Sequence, residues 1–453
     1  MPTTQCKQIC FGFNSLPPIV VVADAPKISS DAGLLLLRQA DQKLGLCAAF
    51  AACLRESRDP SRLIHDRSEQ TRQRMFQIAM GYEDCNDADY LRQDALLKTA
   101  CGRLPNDSEG LSSQPVLSRF ENDVDGRTLN ALCDLFERSY VASLAEDTTV
   151  VVLDIDTTDD PTHGAQQLTF FHGFYDQHMY HPLLVFDGQS GQAITALLRP
   201  GNAHAAKSAA IVLRRVIRKV KERFPGAQVL VRGDSGFCVP RVLDALDELN
   251  RELGDIEYVL GIAKNPRLLA LGEQAMNAAA ERFADTRQHV RQFTSFAYAA
   301  ETWPQERHVV MKAEHHERGA NPRFVVTSLA EFEAQLVYDR AYCARGQCEN
   351  YIKDLKNALN ADRLSCCNFK ANFFRLLLHL GAYRLMHAVR TAAATVSPEL
   401  GAAQMDTLRL RLMKVAAYVN QSVRRILVRL PAAFPFAEVY AITAQALGAP
   451  APA

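Results

Sequence analysis

The run Val150-Val151-Val152-Leu153-Asp154-Ile155-Asp156 sets two carboxylates at alternate positions of an otherwise apolar, β-branched segment. A β-branched run from Thr149 to Asp156 predicts a buried strand, and strand alternation places both acids on one face. Taking a carboxylate out of water without a partner costs several kcal/mol, so something cationic must stand near. A second run, Val229-Leu230-Val231-Arg232-Gly233-Asp234, repeats the pattern with its acid at the C-terminal end. Open α/β sheets place their ligands at that end of their strands. Asp234 there either meets Asp156 or caps the next helix; both readings stand on the residues alone.

Working outward, Pro182 to Asp187 and Ala193 to Leu198 read as strands, Ala205 to Phe224 as a basic helix and Gln228 to Asp234 as a strand. Pro240 to Leu253 follows as helix and Tyr258 to Ile262 as strand. Short links among the first three strands favour antiparallel hairpins, and helical crossovers favour parallel additions. The order predicts an α/β fold, a mixed sheet covered by helices. Upstream, residues 31 to 145 space their apolar side chains at helical intervals. Downstream come strand-like segments at Phe293 to Tyr298, His308 to Ala313 and Arg323 to Thr327, and helix is expected from near Ala341, with breaks, to about Leu430. No internal repeat is present.

Composition removes several classes. With 48% hydrophobic and 23% charged residues over 453, the chain is globular rather than disordered, collagenous or coiled coil. Its longest apolar runs, such as Ile19 to Ala23, fall far short of the ~20 residues of a bilayer span. Lys7 and the stretch ending Ala23-Asp24-Ala25 mimic a signal peptide, but Asn14, Ser15, Pro17 and Pro18 interrupt it, so mature cytosolic sequence is expected. The 12 cysteines form no C-x2-C pair and are expected as reduced thiols. Lys plus Arg and Asp plus Glu both total 51, so any polyanion-binding surface must be local. Two segments qualify: 205–225 with seven cations against one acid, and 407–430 with six cations and none. Each also fits a solvated helix face.

Smaller motifs separate on chemistry. The acids from Glu83 to Asp89 resemble a calcium loop but lack its glycine and closing glutamate, so a helix cap is expected. Gly233-Asp234-Ser235-Gly236 matches the surroundings of a chymotrypsin-like nucleophile, yet it lies between a strand and a helix in a chain without disulfides, so a protease is not expected. His163, His172, His178 and His181 crowd nineteen residues; turn or DNA-contact roles suffice without zinc. Leu111 to Phe120 offers a serine cap, a first-turn Pro115 and then Arg119, a candidate DNA-reading helix. Last, Tyr342, Arg345, Glu349 and Lys356 recur at offsets of three, four and seven, which aligns them on one helical stripe; on the residues alone this fits a solvated face with an Arg345–Glu349 pair.

Tyr342, Arg345, Glu349 and Lys356 match Y-x2-R-x3-E-x6-K, the signature of bacterial insertion-sequence transposases of the DDE type. Asp156-Thr157-Thr158 resembles that group's first catalytic aspartate and its flank, and Arg232 to Phe237 resembles the segment holding the second. Leu153 to Gly164, with Phe170-Phe171-His172-Gly173, is similar to one insertion-sequence family within the group, and the likeness runs from about residue 30 to about 390. Asp154 shares the face of Asp156, and the following Thr-Thr favours Asp156.

The resemblance implies a ribonuclease H-like mixed sheet flanked by helices, with a β-rich insertion and an all-helical N-terminal region. The implied divisions are 1–145 (mainly helical, DNA-binding), 146–265 (first part of the core), 266–338 (insertion), 339–395 (last part, with the Glu349 helix) and 396–453 (basic, helical, for dimerisation or DNA contact). It implies catalysis by Asp156, Asp234 and Glu349 holding two Mg²⁺ ions, with Mn²⁺ as a substitute. Tyr342, Arg345 and Lys356 would grip phosphates, and Trp303 would stack on an extruded base or pack in the core. The expected activity is cleavage at terminal inverted repeats and strand transfer into target DNA. The expected protein is a homodimer on double-stranded DNA, bacterial, cytoplasmic and nucleoid-associated, with no membrane role. Two rivals remain: a ribonuclease H-like nuclease without strand transfer, and a catalytically idle, transposase-derived repressor.

Overall fold

The structure is a computed structural model that describes residues 9–11, 19–21 and 27–450. Expectations resting on Lys7, Asn14, Ser15, Pro17, Pro18 and Ala23 to Ala25 lie outside the described residues. The chain divides into two compact units, one of residues 1–51, 56–119 and 385–453, the other of 52–55 and 120–384.

The second unit is built on one mixed sheet. Its principal strands are β1 (Val150–Thr157), β2 (Leu183–Asp187), β3 (Ala193–Leu197), β4 (Gln228–Gly233), β5 (Ile256–Ile262), β6 (Val290–Tyr298), β7 (Arg307–His316) and β8 (Arg323–Thr327). They lie in the order β6-β7-β8-β5-β4-β1-β2-β3. β1, β4 and β5 run parallel, and every other neighbouring pair on that path is antiparallel. The short link made a hairpin of β2 and β3, β1 pairs antiparallel with β2 across the longer connection 158–182, and the helical crossovers made parallel neighbours. Beyond β5, two helices, Pro266–Leu271 and Glu273–Thr286, precede β6, and β6 to β8 extend the same sheet.

Pleating divides the central strands between two environments. Leu153 and Ile155 of β1 and Val229 and Val231 of β4 join a core cluster with helix α1 (Ala209–Arg223), through Val212, Leu213, Val216, Ile217 and Val220. Helix α2 (Pro240–Leu253) adds Val242, Leu243, Leu246 and Leu249. Each such side chain contributes about 1.5–3 kcal/mol on burial, so this face dominates the positioning of both helices. Asp154, Asp156 and Arg232 occupy the intervening positions, and contacts with Ala341 and Arg345 bring the 337–358 segment to them.

In the other unit, helices Leu34–Leu44, Arg67–Ala79 and Ala95–Cys101 gather a helical core. Asp66 caps the second, its carboxylate accepting from the Glu69 amide at 2.7 Å. The expected helix up to Leu430 is not what forms. Ala417–Gln421 and Ile426–Arg429 are antiparallel strands, and Ala417–Gln421 also pairs with Ile28–Ser29. Helix does hold at Met405–Leu408 and in the wide turn Arg409–Met413, despite the strand-like alternation of Leu and Arg at 408–412. After Lys414, however, Tyr418, Val419, Ile426 and Val428 are β-formers flanking a turn closed by the Ser422 and Arg425 backbone.

Candidate active site

Register explains the first pair of charges. Arg232 lies directly beside Asp154 on neighbouring parallel strands. Its guanidinium grips that carboxylate in a fork, Nε to Oδ1 at 2.6 Å and Nη2 to Oδ2 at 2.7 Å, with Asp154 fully buried and Arg232 nearly so. A third donor, Nη1, reaches the carbonyl oxygen of Ala341 at 3.1 Å, just before Tyr342. Asp154 thus has the cation that its burial demands, and the pair ties β1 and β4 to the segment carrying the signature residues.

Asp156, two residues on, is buried and has a different partner. Its Oδ1 accepts from the Thr157 amide at 2.8 Å and its Oδ2 from Arg345 Nη2 at 2.6 Å. Burial pushes its pKa up to about 6; Arg345 opposes the rise, while the charges of Asp234 and Glu349 add to it. The charges of Asp234 and Glu349 thus bear on Asp156 across 78 and 193 positions of sequence. Asp234 follows β4 directly and caps the short turn Ser235–Phe237, its Oδ1 accepting from the Gly236 amide at 2.9 Å. Of the two sequence readings of Asp234, the capping one forms, on a short turn rather than at the start of the next helix. Glu349 is exposed on helix α3 (Gly346–Lys353).

The segment bearing Tyr342 to Lys356 is not one uniform α-helix. A wide π-type turn spans Val337–Tyr342, a tight 3₁₀ turn Cys343–Arg345, and a second π-type turn Asp354–Ala358 flanks α3 on the far side. Such changes of pitch are frequent at functional sites, and here they rotate the expected stripe so that its members find separate partners. Arg345 reaches Asp156, and Lys356 Nζ meets Asp159 Oδ1 at 2.6 Å. The Asp159 carboxyl is consequently held below the usual carboxylate range despite its partial burial. Tyr342 is half-buried, and its hydroxyl fits over a glycine. A methyl at Gly261 would come within 2.7 Å of Tyr342 Oη and 3.0 Å of the Ser235 amide nitrogen.

Among the described residues, no group of three or more His, Cys, Asp or Glu side chains stands ready to hold a metal ion. In kind, the donors of Asp156, Asp234 and Glu349 suit a hard cation, being carboxylate oxygens whose mutual repulsion a cation relieves. Arg345 supplies the positive charge at Asp156.

Other candidates resolve as follows. Trp303 is only 9% exposed, set edge-on to Tyr298 and beneath Arg307, which assigns it the packing role of its two readings. Arg119 is exposed on helix Gln114–Asn122 of the first unit. On α1, Arg215 and Lys219 meet the buried Glu137, and Arg214, Arg218 and Arg223 pair with Glu248, Glu252 and Glu146. That basic stretch is neutralised. Along 407–430, Arg411 pairs with Glu399 and Lys414 with Asp31, whereas Arg424, Arg425 and Arg429 are exposed on the hairpin without an ion pair among the described residues. Asp84 and Asp87 cap the turn Cys85–Asp87 reciprocally, as the cap reading expected. His181 Nδ1 donates to the Ala203 carbonyl at 2.8 Å, and its ring meets His172 edge-on. The sequence reading missed Arg232 as a partner of Asp154, Asp159 as a partner of Lys356, and Gly261 as the seat of Tyr342. Of these, only the cation demanded by a buried Asp154 left a signal in the sequence.

Fold and site together define a mixed α/β sheet with buried, arginine-paired aspartates on its central strand. The family model described as "Transposase DDE domain group 1" matches residues 11–450, nearly the whole chain. The chain belongs to this family of DDE transposases. Among solved structures it is similar to a piggyBac transposase synaptic complex with hairpin DNA, at 10% identity and a TM-score of 0.40, over 79% of this chain and 74% of that one. No curated protein matches it.

Proposed function

We propose that this transposase binds the terminal inverted repeats of a bacterial insertion sequence, cuts its ends and joins them to target DNA, with Asp156, Asp234 and Glu349 as the catalytic acids. The observation that carries this reading is the Arg345–Asp156 contact, which brings the Tyr342 to Lys356 segment to the first aspartate's strand, with Asp234 at the end of the parallel neighbour. A ribonuclease H-like core is supported by the order β3-β2-β1-β4-β5, with β1 and β4 adjacent and parallel.

In this reading Asp156, Asp234 and Glu349 would hold Mg²⁺, or Mn²⁺ in its place, which when bound stabilises charge on the attacking and leaving oxygens. The chain's own groups orient the DNA. Arg345 keeps donors beyond the one on Asp156, and these suit a phosphate oxygen; Lys356 likewise donates to Asp159 with one of its three protons. Tyr342, seated on Gly261 beside the Asp234-Ser235 peptide, lines the path of the strand. Water attacks phosphorus as the bond to the 3′ oxygen breaks, and the freed 3′-hydroxyl then attacks a target phosphodiester, displacing its 3′ oxygen. Arg424, Arg425 and Arg429 would contact the DNA backbone, and two copies would pair two ends.

Asp234→Ala in Mg²⁺ buffer tests the reading. Loss of strand cleavage at element ends is expected; intact cleavage rules the assignment out. The idle-repressor reading draws on the absence of a ready three-acid metal group among the described residues. A gel shift of end DNA by the wild-type chain without Mg²⁺-dependent cutting would favour it.

A further inference from the structure

Next to the acids lies a cleft of about 350 Å³, a size typical of small-ligand sites, roughly 300–1,000 Å³. Its wall begins at Ser235, the residue after Asp234, and continues through Gly261, Lys264, Arg323 and Tyr342. Antiparallel pairing puts Ile262 of β5 beside Phe324 of β8, so Lys264 and Arg323 leave the sheet at the same end, one from each strand. Both side chains are exposed and neither has an ion pair among the described residues. The lining contains no Asp or Glu at all. That contrasts with helix α1, where most cations meet a carboxylate. Two unneutralised cations facing one crevice form a site for an anion.

The aromatic wall narrows the class of anion. Tyr342 presents a half-buried ring whose hydroxyl is seated against Gly261. An arginine fork, a lysine point charge and a ring together suit a phosphate joined to a sugar and base. The mouth of the cleft adjoins Asp234, so the nucleotide it holds belongs to a strand already passing the acids.

We propose that this cleft binds one nucleotide of the DNA strand flanking the scissile phosphate, with its phosphate on Lys264 and Arg323 and its sugar and base against Tyr342. The inference rests on the transposase reading above and extends it to two residues outside the acidic centre.

The test uses the full chain and duplexes carrying the inverted repeat found beside the coding region, with one backbone phosphate at a time replaced by an uncharged methylphosphonate. Binding is followed by fluorescence anisotropy in EDTA, so the readout does not depend on cleavage. One or two adjacent positions near the element end should weaken wild-type binding about tenfold, as loss of a charge-assisted contact does. In the K264Q/R323Q protein the same positions should have no further effect, while other phosphates retain theirs. Both side chains are exposed, so the fold does not rest on them, and an unchanged thermal melt checks it. If the double variant binds like the wild type, or if no methylphosphonate position loses its effect in that variant, the subsite is overturned. A wild-type chain that shows this coupling yet fails to cut in Mg²⁺ would sink the catalytic reading and leave the subsite standing.

Discussion

Arg345 Nη2 lies 2.6 Å from Asp156 Oδ2, across 189 residues of sequence. The pair joins the signature segment to the strand that begins the core, and it puts the strongest local cation on the acid that the other two acids repel. Arg345→Ala is expected to slow single-turnover cleavage of end DNA by about 10²-fold or more, the usual loss for one donor at a developing charge. Arg345→Lys keeps the charge without the fork and should fall between. Wild-type rates in the alanine variant would contradict this role.

The two carboxylates of the first strand should behave oppositely when altered. Asp154→Ala leaves Arg232 buried and unpaired, which costs about 3–5 kcal/mol. Urea unfolding measures it, and D154L combined with R232M should recover part of the loss, since both charges then leave together. An Asp154→Ala protein as stable as wild type would show that the fork is not a structural tie.

Asp156 gives the pH dependence. Its carboxyl is raised by burial to about 6 in the fold, against 3.8 ordinarily, so the folded chain binds this proton more tightly than the unfolded one. Its contribution to stability is therefore fully present below pH 3.8 and is lost as pH rises through 6. In EDTA, Asp156→Asn should be more stable than wild type at pH 8, by about 1–3 kcal/mol, with the gap closing toward pH 4. Melting curves across that range decide it; a destabilised asparagine variant at pH 8 would contradict the sign.

The hairpin arginines bear on DNA affinity rather than chemistry. Replacing Arg424 and Arg425 with alanine should weaken duplex binding for any sequence and lower the slope of log K against log salt by about 1–2. Anisotropy titrations at several salt concentrations measure both, and an unchanged slope would remove these residues from the interface.

Much of this was legible because apolar runs interrupted by acids are costly to bury. The Val150 to Asp156 run gave the strand, the shared face and the need for a cation, while the spacing of hairpins and crossovers gave the direction of its neighbours. The partner of Asp154 was not legible, because it depends on a register between strands 78 positions apart. Nor were the π-type turns that break the stripe from Tyr342 to Lys356, since side-chain spacing alone does not reveal a change of pitch. The basic helix Ala209–Arg223 misled for a related reason: its neutralising acids lie on other helices. Past Lys414, the β-formers Tyr418, Val419, Ile426 and Val428 make a hairpin where helix was expected.

The central claim is that residues 156, 234 and 349 together hold a divalent ion when DNA is present. Its most direct measurement is Mn²⁺ binding by electron paramagnetic resonance to the chain loaded with end DNA, for the wild type and for D156N, D234N and E349Q. The account predicts bound Mn²⁺ in the wild type and a clear loss of it in each single variant. Undiminished binding in all three would contradict it.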